Sequence, residues 1–534
     1  MPSSLQKVVV LAVPVREEPD DRGTTGLGGV TESCRCVGDA IGTGLVQVAM
    51  MGSRHTACST GSIDGSWTTV GFLPRIRDAA RMPLRVLRRR FPHFAQGSLM
   101  PLMVFLLVCC SEACAFIMTV GPLTMPDPDL HLSGTYALAT LQSFNATNEV
   151  ESAVGTKGGG LEKKRLQMLH GDSRYLRQHT MRNVLIESLH ITSLTEDYAY
   201  DAQVGELDSV SHHAVTTPMR SNQYLFVVFI PQAIGMRIGW LLGLPPSKVL
   251  TLARVSNVLF YMVCLGVAIR VVPRAKWLLA FIGCLPIAVF CSSSLMADGV
   301  VIGFSTFFVA LSLYLCSRRR GIGWAGWCLL VIMGVVECLM KFAYAPLALL
   351  PLMAIRSMNR RQRTAYAGAV IGFAALITIW WQRNYALVIR PETYRMNKEL
   401  LLARPFESFA TVMINVVVGT FDVVVRDRVL VFGLLIFLMA FVVAGHGRFP
   451  RESITDSYGR MIFAACIVVG VASLILVWLS LFLTWNDLQG LGNWAIRLDG
   501  FQERYLCPIL PLLVGMWFVR APEGAPRGYD ATRR

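Results

Sequence analysis

The chain has 534 residues, enough for three or more soluble domains, yet 53% of them are hydrophobic and only 16% charged. Soluble chains carry roughly 25% charged residues, so this one lacks the polar surface to face water on all sides. Its apolar residues also run in long blocks, and the chain reads as an all-α polytopic membrane protein. The formal charge of +15 would suit a nucleic-acid binder, which the placement of that charge excludes below.

Crossing a bilayer takes about 20 residues of helix, and backbone polar groups cannot stay bare in hydrocarbon. Residues 1–98 precede any span. Within them 1–74 are rich in Gly, Ser and Thr with a net charge of −2, and 75–90 hold seven arginines against one aspartate. This tail reads as cytoplasmic, as disordered, or as an over-extended gene start. A start near Met82 would make the basic run and 99–115 resemble a signal peptide; the unbroken apolar run to Val120 argues for a span.

About ten spans are predicted: 99–120, 251–271, 276–291, 298–316, 322–340, 342–355, 364–381, 428–445, 461–484 and 504–519, followed by a tail at 520–534. An eleventh apolar stretch, 223–244, reads as a Pro231-broken, re-entrant or surface-lying helix. Taken as a full span, it would put Arg270, Arg274 and Lys276 outside.

Lysine and arginine placement sets orientation. With 75–90 cytoplasmic, the inner segments total +19, whereas the outer connections 121–222, 382–428 and 485–504 total −3. The basic surplus is therefore a topology signal and leaves no nucleic-acid reading. It places both termini in the cytoplasm and the chain in the cell membrane. Of the 14 cysteines, none lies in 121–222, 382–427 or 485–503, so disulfides do not staple the exterior.

The loop 121–222 holds six of nine histidines and twelve of 35 acidic residues. Loops this long are functional or disordered, and these counts favour a folded or partly folded exterior element. It opens Pro126-Asp127-Pro128-Asp129-Leu130-His131. Asp127 suits a helix N-cap and Pro128 the first helical position, with His131 one turn on along the same face. Two carboxylates and an imidazole fit a divalent cation held by Asp127, Asp129 and His131, or a general base. Plain capping beside a surface histidine is the competing reading.

Charges inside apolar segments are costly and have a partner or a role. Asp298 follows three serines, 292–294, at the outer end of a span, which fits a snorkelling end residue or a polar pocket. Glu337 and Lys341 have the spacing of a helical ion pair, and Arg254 opens another span. Gln502-Glu503-Arg504-Tyr505 precedes the last span. Arginine there suits a phosphate, and tyrosine there suits a phosphate site or the aromatic belt. No phosphate-binding glycine loop, nucleophile elbow or zinc signature is present.

Together these elements resemble a bacterial family catalogued as domain of unknown function 2142, itself similar to integral-membrane glycosyltransferases of the C-type fold. The resemblance rests on Pro126-Asp127-Pro128-Asp129-Leu130-His131, Pro231-Gln232-Ala233-Ile234-Gly235, Ala253-Arg254, Ser294 to Asp298, Lys341-x-x-Tyr344-x-Pro346 and Gln502-x-Arg504-Tyr505-x-x-Pro508. Where that family has a glutamate after the aspartate, this chain has Pro128, and the next acid is Asp129. The resemblance implies inverting transfer from a lipid-phosphate-linked sugar donor to a saccharide or glycolipid acceptor on the outer face, in cell-envelope assembly. Asp127 or Asp129 would serve as base or metal ligand, and Arg504 with Arg254 would hold the donor phosphate. His131, Gln232, Asp298, Lys341, Tyr344, Gln502 and Tyr505 would complete the substrate site. A transporter or flippase for lipid-linked saccharides should show two related halves, which the sequence does not. A non-catalytic scaffold is the third reading.

Overall fold

The computed structural model describes residues 99–122, 125–144, 224–385, 391–426, 456–486, 488 and 497–518. Both tails, the bulk of the 121–222 loop and the expected span 428–445 lie outside the described residues. Among the described residues every element is helical.

In chain order, α1 (Leu99–Thr119) leads to α2 (Pro128–Ala139), and a 3₁₀ turn at Phe226–Phe229 runs into α3 (Ile230–Leu241). Then come α4 (Pro246–Val271), α5 (Lys276–Gly283), α6 (Pro286–Ser292), α7 (Ala297–Ser317) and α8 (Trp324–Met340). A 3₁₀ helix at Phe342–Met353 precedes α9 (Arg360–Asn384), α10 (Pro391–Ala403) and α11 (Pro405–Ile414). One π-helical turn, Asn415–Gly419, joins α11 to α12 (Thr420–Arg426), and α13 (Asp456–Thr484) is followed by 3₁₀ turns at Glu503–Tyr505 and Leu510–Phe518.

Six helical stretches among the described residues are long and apolar enough to cross a membrane: 99–119, 247–271, 297–317, 360–384, 405–426 and 457–484. Several expected spans take other forms. Residues 276–291 split into α5 and α6, because Pro286 lacks an N–H and holds Leu285 extended at φ −65°, ψ 126°. Pro346 and Pro351 leave 342–353 as a 3₁₀ helix, and the segment after Arg504 is likewise 3₁₀. Conversely 405–426, expected within an outer connection, forms one long helical stretch. Glu407 and Asp422 sit near its ends and leave 408–421 uncharged.

Within the stretch 223–244 the apolar helix runs Phe226–Leu241, shorter than the six, and Pro231 does not break it. Proline lies in the first turn of α3, where no N–H is needed. The chain then reverses at Gly243, φ +63°, and α4 returns against α3. A Cβ on Gly235 would stand 2.5 Å from the Leu252 carbonyl oxygen, so only glycine lets these backbones approach this closely. At the centre α7 packs against α4, α6, α8 and the 342–353 helix and is buried along most of its length.

Candidate functional site at one end of the bundle

One end of the bundle gathers the C-terminus of α1, the start of α4, the turn from α6 to α7, the end of α8 and the 502–505 turn. The α6–α7 turn is held by amide and guanidinium donors from α3 and α4. Asn257 Nδ2 donates to the carbonyls of Ser294 at 2.9 Å and Met296 at 3.3 Å, and Gln232 Nε2 donates to Met296 at 3.1 Å. Arg254 donates from Nε to the Ser293 carbonyl at 2.6 Å, from Nη1 to Val120 at 2.9 Å and from Nη2 to Phe116 at 3.0 Å. A cation on the last carbonyls of α1 complements that helix's dipole, and the same side chain fastens α1 to the turn.

His131, buried on α2, accepts the Ala297 N–H at Nδ1, 3.3 Å away. The imidazole is thereby neutral, with its proton on Nε2. Burial drives its pKa down to about 4, with Arg504 and Lys341 pushing the same way and Asp298 and Asp127 opposing.

The turn delivers Asp298, the second residue of α7, into an ion-paired cluster. Its Oδ1 receives Lys341 Nζ at 3.0 Å, and its Oδ2 lies 3.3 Å from Arg504 Nε. Arg504 Nη2 also reaches Asp127 Oδ2 at 3.6 Å. Two acids and two bases balance, as burial of charge requires. Lys341 Nζ lies 4.4 Å from the ring centre of Tyr505 and near the rings of Tyr224 and Tyr344. The Tyr344 hydroxyl donates to the Tyr505 carbonyl at 2.9 Å. Arg504 and Asp298 are almost sealed at 5% and 9% side-chain exposure, whereas Asp127 is 25% exposed and forms the open edge.

Two sequence expectations change. Lys341 does not pair with Glu337; it adopts extended backbone just past α8, φ −155° and ψ 112°, and turns to Asp298. Glu337 instead takes the Ser305 hydroxyl at 2.6 Å. Asp127 precedes α2, with Pro128 at the expected first position, yet its side chain makes no cap. Its backbone is left-handed, φ 53°, which frees the carboxylate for Arg504. The Arg254 donors go to main-chain carbonyls, which makes it a clamp.

Asp129 lies on α2 with its side chain outside the described residues. Gln502 contributes its carbonyl, which accepts the Tyr505 N–H at 3.0 Å. Among the described residues no three His, Cys, Asp or Glu side chains are placed to hold a metal. His131 Nδ1 is engaged by the Ala297 N–H, and a guanidinium lies beside Asp127.

Sequence reasoning missed Asn257, Tyr224 and Asn415. Asn415 opens the π turn, and its Oδ1 accepts the Leu498 N–H at 3.0 Å. Phe501 stacks on Trp478 with ring centres 4.7 Å apart, so the segment leading to Arg504 is anchored at both points. Their one signal was a polar side chain inside an apolar run. Asn397, in the polar helix α10, acts as a similar anchor, donating to the carbonyls of Phe482 at 2.8 Å and Asn486 at 2.6 Å.

A helical bundle with six membrane-length apolar stretches and a buried, charge-balanced cluster at one end defines a multi-pass membrane protein. The family model described as "Predicted membrane protein (DUF2142)" matches residues 113–513, and the chain belongs to that family. No curated protein and no solved structure matches it.

Proposed function

We propose that the protein is an integral-membrane glycosyltransferase of the C-type fold. It uses a lipid-phosphate-linked sugar on the outer face of the cell membrane to build an envelope polysaccharide or glycoconjugate. The supporting observation is that Asp127 and Asp298 share Arg504 while only Asp127 is open to solvent. Asp127 takes the proton of the acceptor hydroxyl as its oxygen attacks the anomeric carbon with inversion. The bond from that carbon to the phosphate oxygen breaks, and the electron pair leaves with the phosphate. Arg504 and Lys341 offset the charge that develops there, a bidentate guanidinium beside a point charge. Asp298 holds both cations in place, and neutral His131 keeps α2 fixed to the start of α7. Asp129 is the second carboxylate of this proposal, and no step passes through a metal.

The test is sugar transfer in membranes containing Asp127→Asn. General-base catalysis contributes about 10²–10⁴-fold, so transfer falls by at least about 10²-fold while the protein stays inserted. Transfer at the wild-type rate ends the assignment. A second reading, transport of a lipid-linked saccharide, rests on Glu337, a buried carboxyl one turn below the cluster whose second oxygen has no hydrogen-bond partner. Flipping of a labelled lipid-linked sugar without transfer, abolished by Glu337→Gln, favours that reading.

A further inference from the structure

The opposite end of the bundle carries a second concentration of charge that the ion-paired cluster does not use. Three consecutive arginines, 318–320, leave α7, and Arg356, Arg360, Arg361 and Arg363 surround the start of α9. These two connections form one surface. The Ile322 N–H donates to the Ser357 carbonyl at 3.1 Å, the Ser357 hydroxyl donates to the Leu315 carbonyl at 2.8 Å, and Trp327 Nε1 donates to the Gln362 carbonyl at 3.0 Å. From below, the Tyr458 hydroxyl points between the carbonyls of Cys316 and Met353, at 3.0 and 2.8 Å, with Arg356 over its ring. Between Cys316 and Arg363 the only acid is Glu337, which lies in the last turn of α8 toward the other end.

Two features make this more than a topology signal. Arg360, Arg361 and Arg363 occupy the first turn of α9, with no acid there. Cations at a helix N-terminus oppose the dipole, and the Asn359–Gln362 capping box already takes two of the N–H groups there, so it is the arginine side chains that favour an anion. Next to them Trp324 stacks on Trp327 with ring centres 5.0 Å apart and is itself 75% exposed. Tryptophans exposed in this way mark headgroup depth, which puts the arginines level with lipid phosphates.

We infer that this surface binds the phosphate headgroup of an anionic phospholipid, held between the 318–320 and 356–363 connections with Trp324 against the acyl boundary. The chemistry is diester phosphate in a bilayer, recognised by arginines from two loops bonded to one another. It is independent of the glycosyltransferase reading.

The experiment is lipid retention by native mass spectrometry of the full chain from nanodiscs holding phosphatidylglycerol and phosphatidylcholine together. The wild type retains phosphatidylglycerol selectively. An arginine near an anionic surface contributes about fivefold in affinity, so Arg360→Gln with Arg361→Gln lowers that retention about 25-fold, and Arg319→Gln with Arg320→Gln lowers it similarly. Both pairs are exposed, and unchanged melting in pure phosphatidylcholine checks that they fold. Equal retention of the two lipids by the wild type overturns the inference. So does undiminished phosphatidylglycerol retention by both variants, which would leave the arginines as topology determinants only.

Discussion

Lys341 and Asp298 are 43 positions apart, one past the end of α8 and the other at the start of α7, and they meet at 3.0 Å. The contact ties together two central helices, and it is the base of the cluster that carries Arg504 and Asp127. Its energetics are those of a buried pair, where breaking costs more than the pair itself contributes.

Lys341→Met therefore strands Asp298 with Arg504 alone. Removing one partner of such a pair costs about 3–5 kcal/mol, and the remaining arginine puts this case at the lower end. Asp298→Asn together with Lys341→Met recovers part of the loss, because neither charge is then left unbalanced. Thermal unfolding in detergent of the two single variants and the double variant gives the coupling. Strict additivity would show that the two side chains do not interact.

Arg254 is expected to matter for folding and not for donor affinity. Each hydrogen bond from a charged donor contributes about 1.5–3 kcal/mol, and three carbonyls on two elements depend on this one side chain. Arg254→Met should lower the yield of folded protein sharply, while the fraction that folds keeps the donor dependence of the proposed transfer. A folded variant with weakened donor use would return Arg254 to the phosphate.

The spans that sequence identified well, α1, α4, α7 and α13, are long apolar runs whose only prolines, Pro101 in α1 and Pro246 in α4, sit in the first turn. Where proline interrupts, at Pro286, Pro346, Pro351 and Pro508, composition still reads as apolar, and only backbone geometry decides between α-helix, 3₁₀ helix and a break. The site was legible in part. Asp127, His131, Asp298, Lys341 and Arg504 all stood out as polar groups beside apolar segments, and they do converge. Which acid meets which base was not legible. The spacing of Glu337 and Lys341 argued for a helical pair, but that argument needs both residues inside the helix, and α8 stops at Met340. Asn257 and Gln232 escaped notice as anchors because their role is to hold the carbonyls of a turn about 40 and 64 residues away.

His131 gives the fold a defined acid response. Its folded pKa of about 4 lies below the ordinary 6.5, so the unfolded chain takes up a proton first as pH falls. The group's contribution is intact above pH 6.5 and is lost progressively as pH falls toward 4. Protonation would also break the acceptance of the Ala297 N–H and set a cation beside Arg504 and Lys341. His131→Gln should flatten the melting profile between those limits, since an amide does not titrate there. An unchanged profile would locate the acid sensitivity elsewhere.

Gly235 tests how tightly the α3–α4 reversal sets the site. A Cβ there meets the Leu252 carbonyl oxygen at 2.5 Å and Ala253 Cα at 2.7 Å, main-chain atoms that no rotamer change can move. Overpacking costs about 1–3 kcal/mol, and Gly235→Ala falls at the upper end because α3 as a whole must lift. Lifting α3 draws Gln232, one turn away, from the Met296 carbonyl, and disturbs Arg254 beside the contact, so the proposed transfer should fall along with stability. Gly239→Ala meets Val249 at 3.1 Å, partly through a side chain that can shift, and should cost less. Gly368→Ala and Gly372→Ala, on α9 with open space around each, should instead gain about 0.5–1 kcal/mol from helix propensity. Melting temperatures of the four variants in one detergent order them. If Gly235→Ala is as well tolerated as Gly372→Ala, α3 does not press on α4, and the positioning of Gln232 needs another cause.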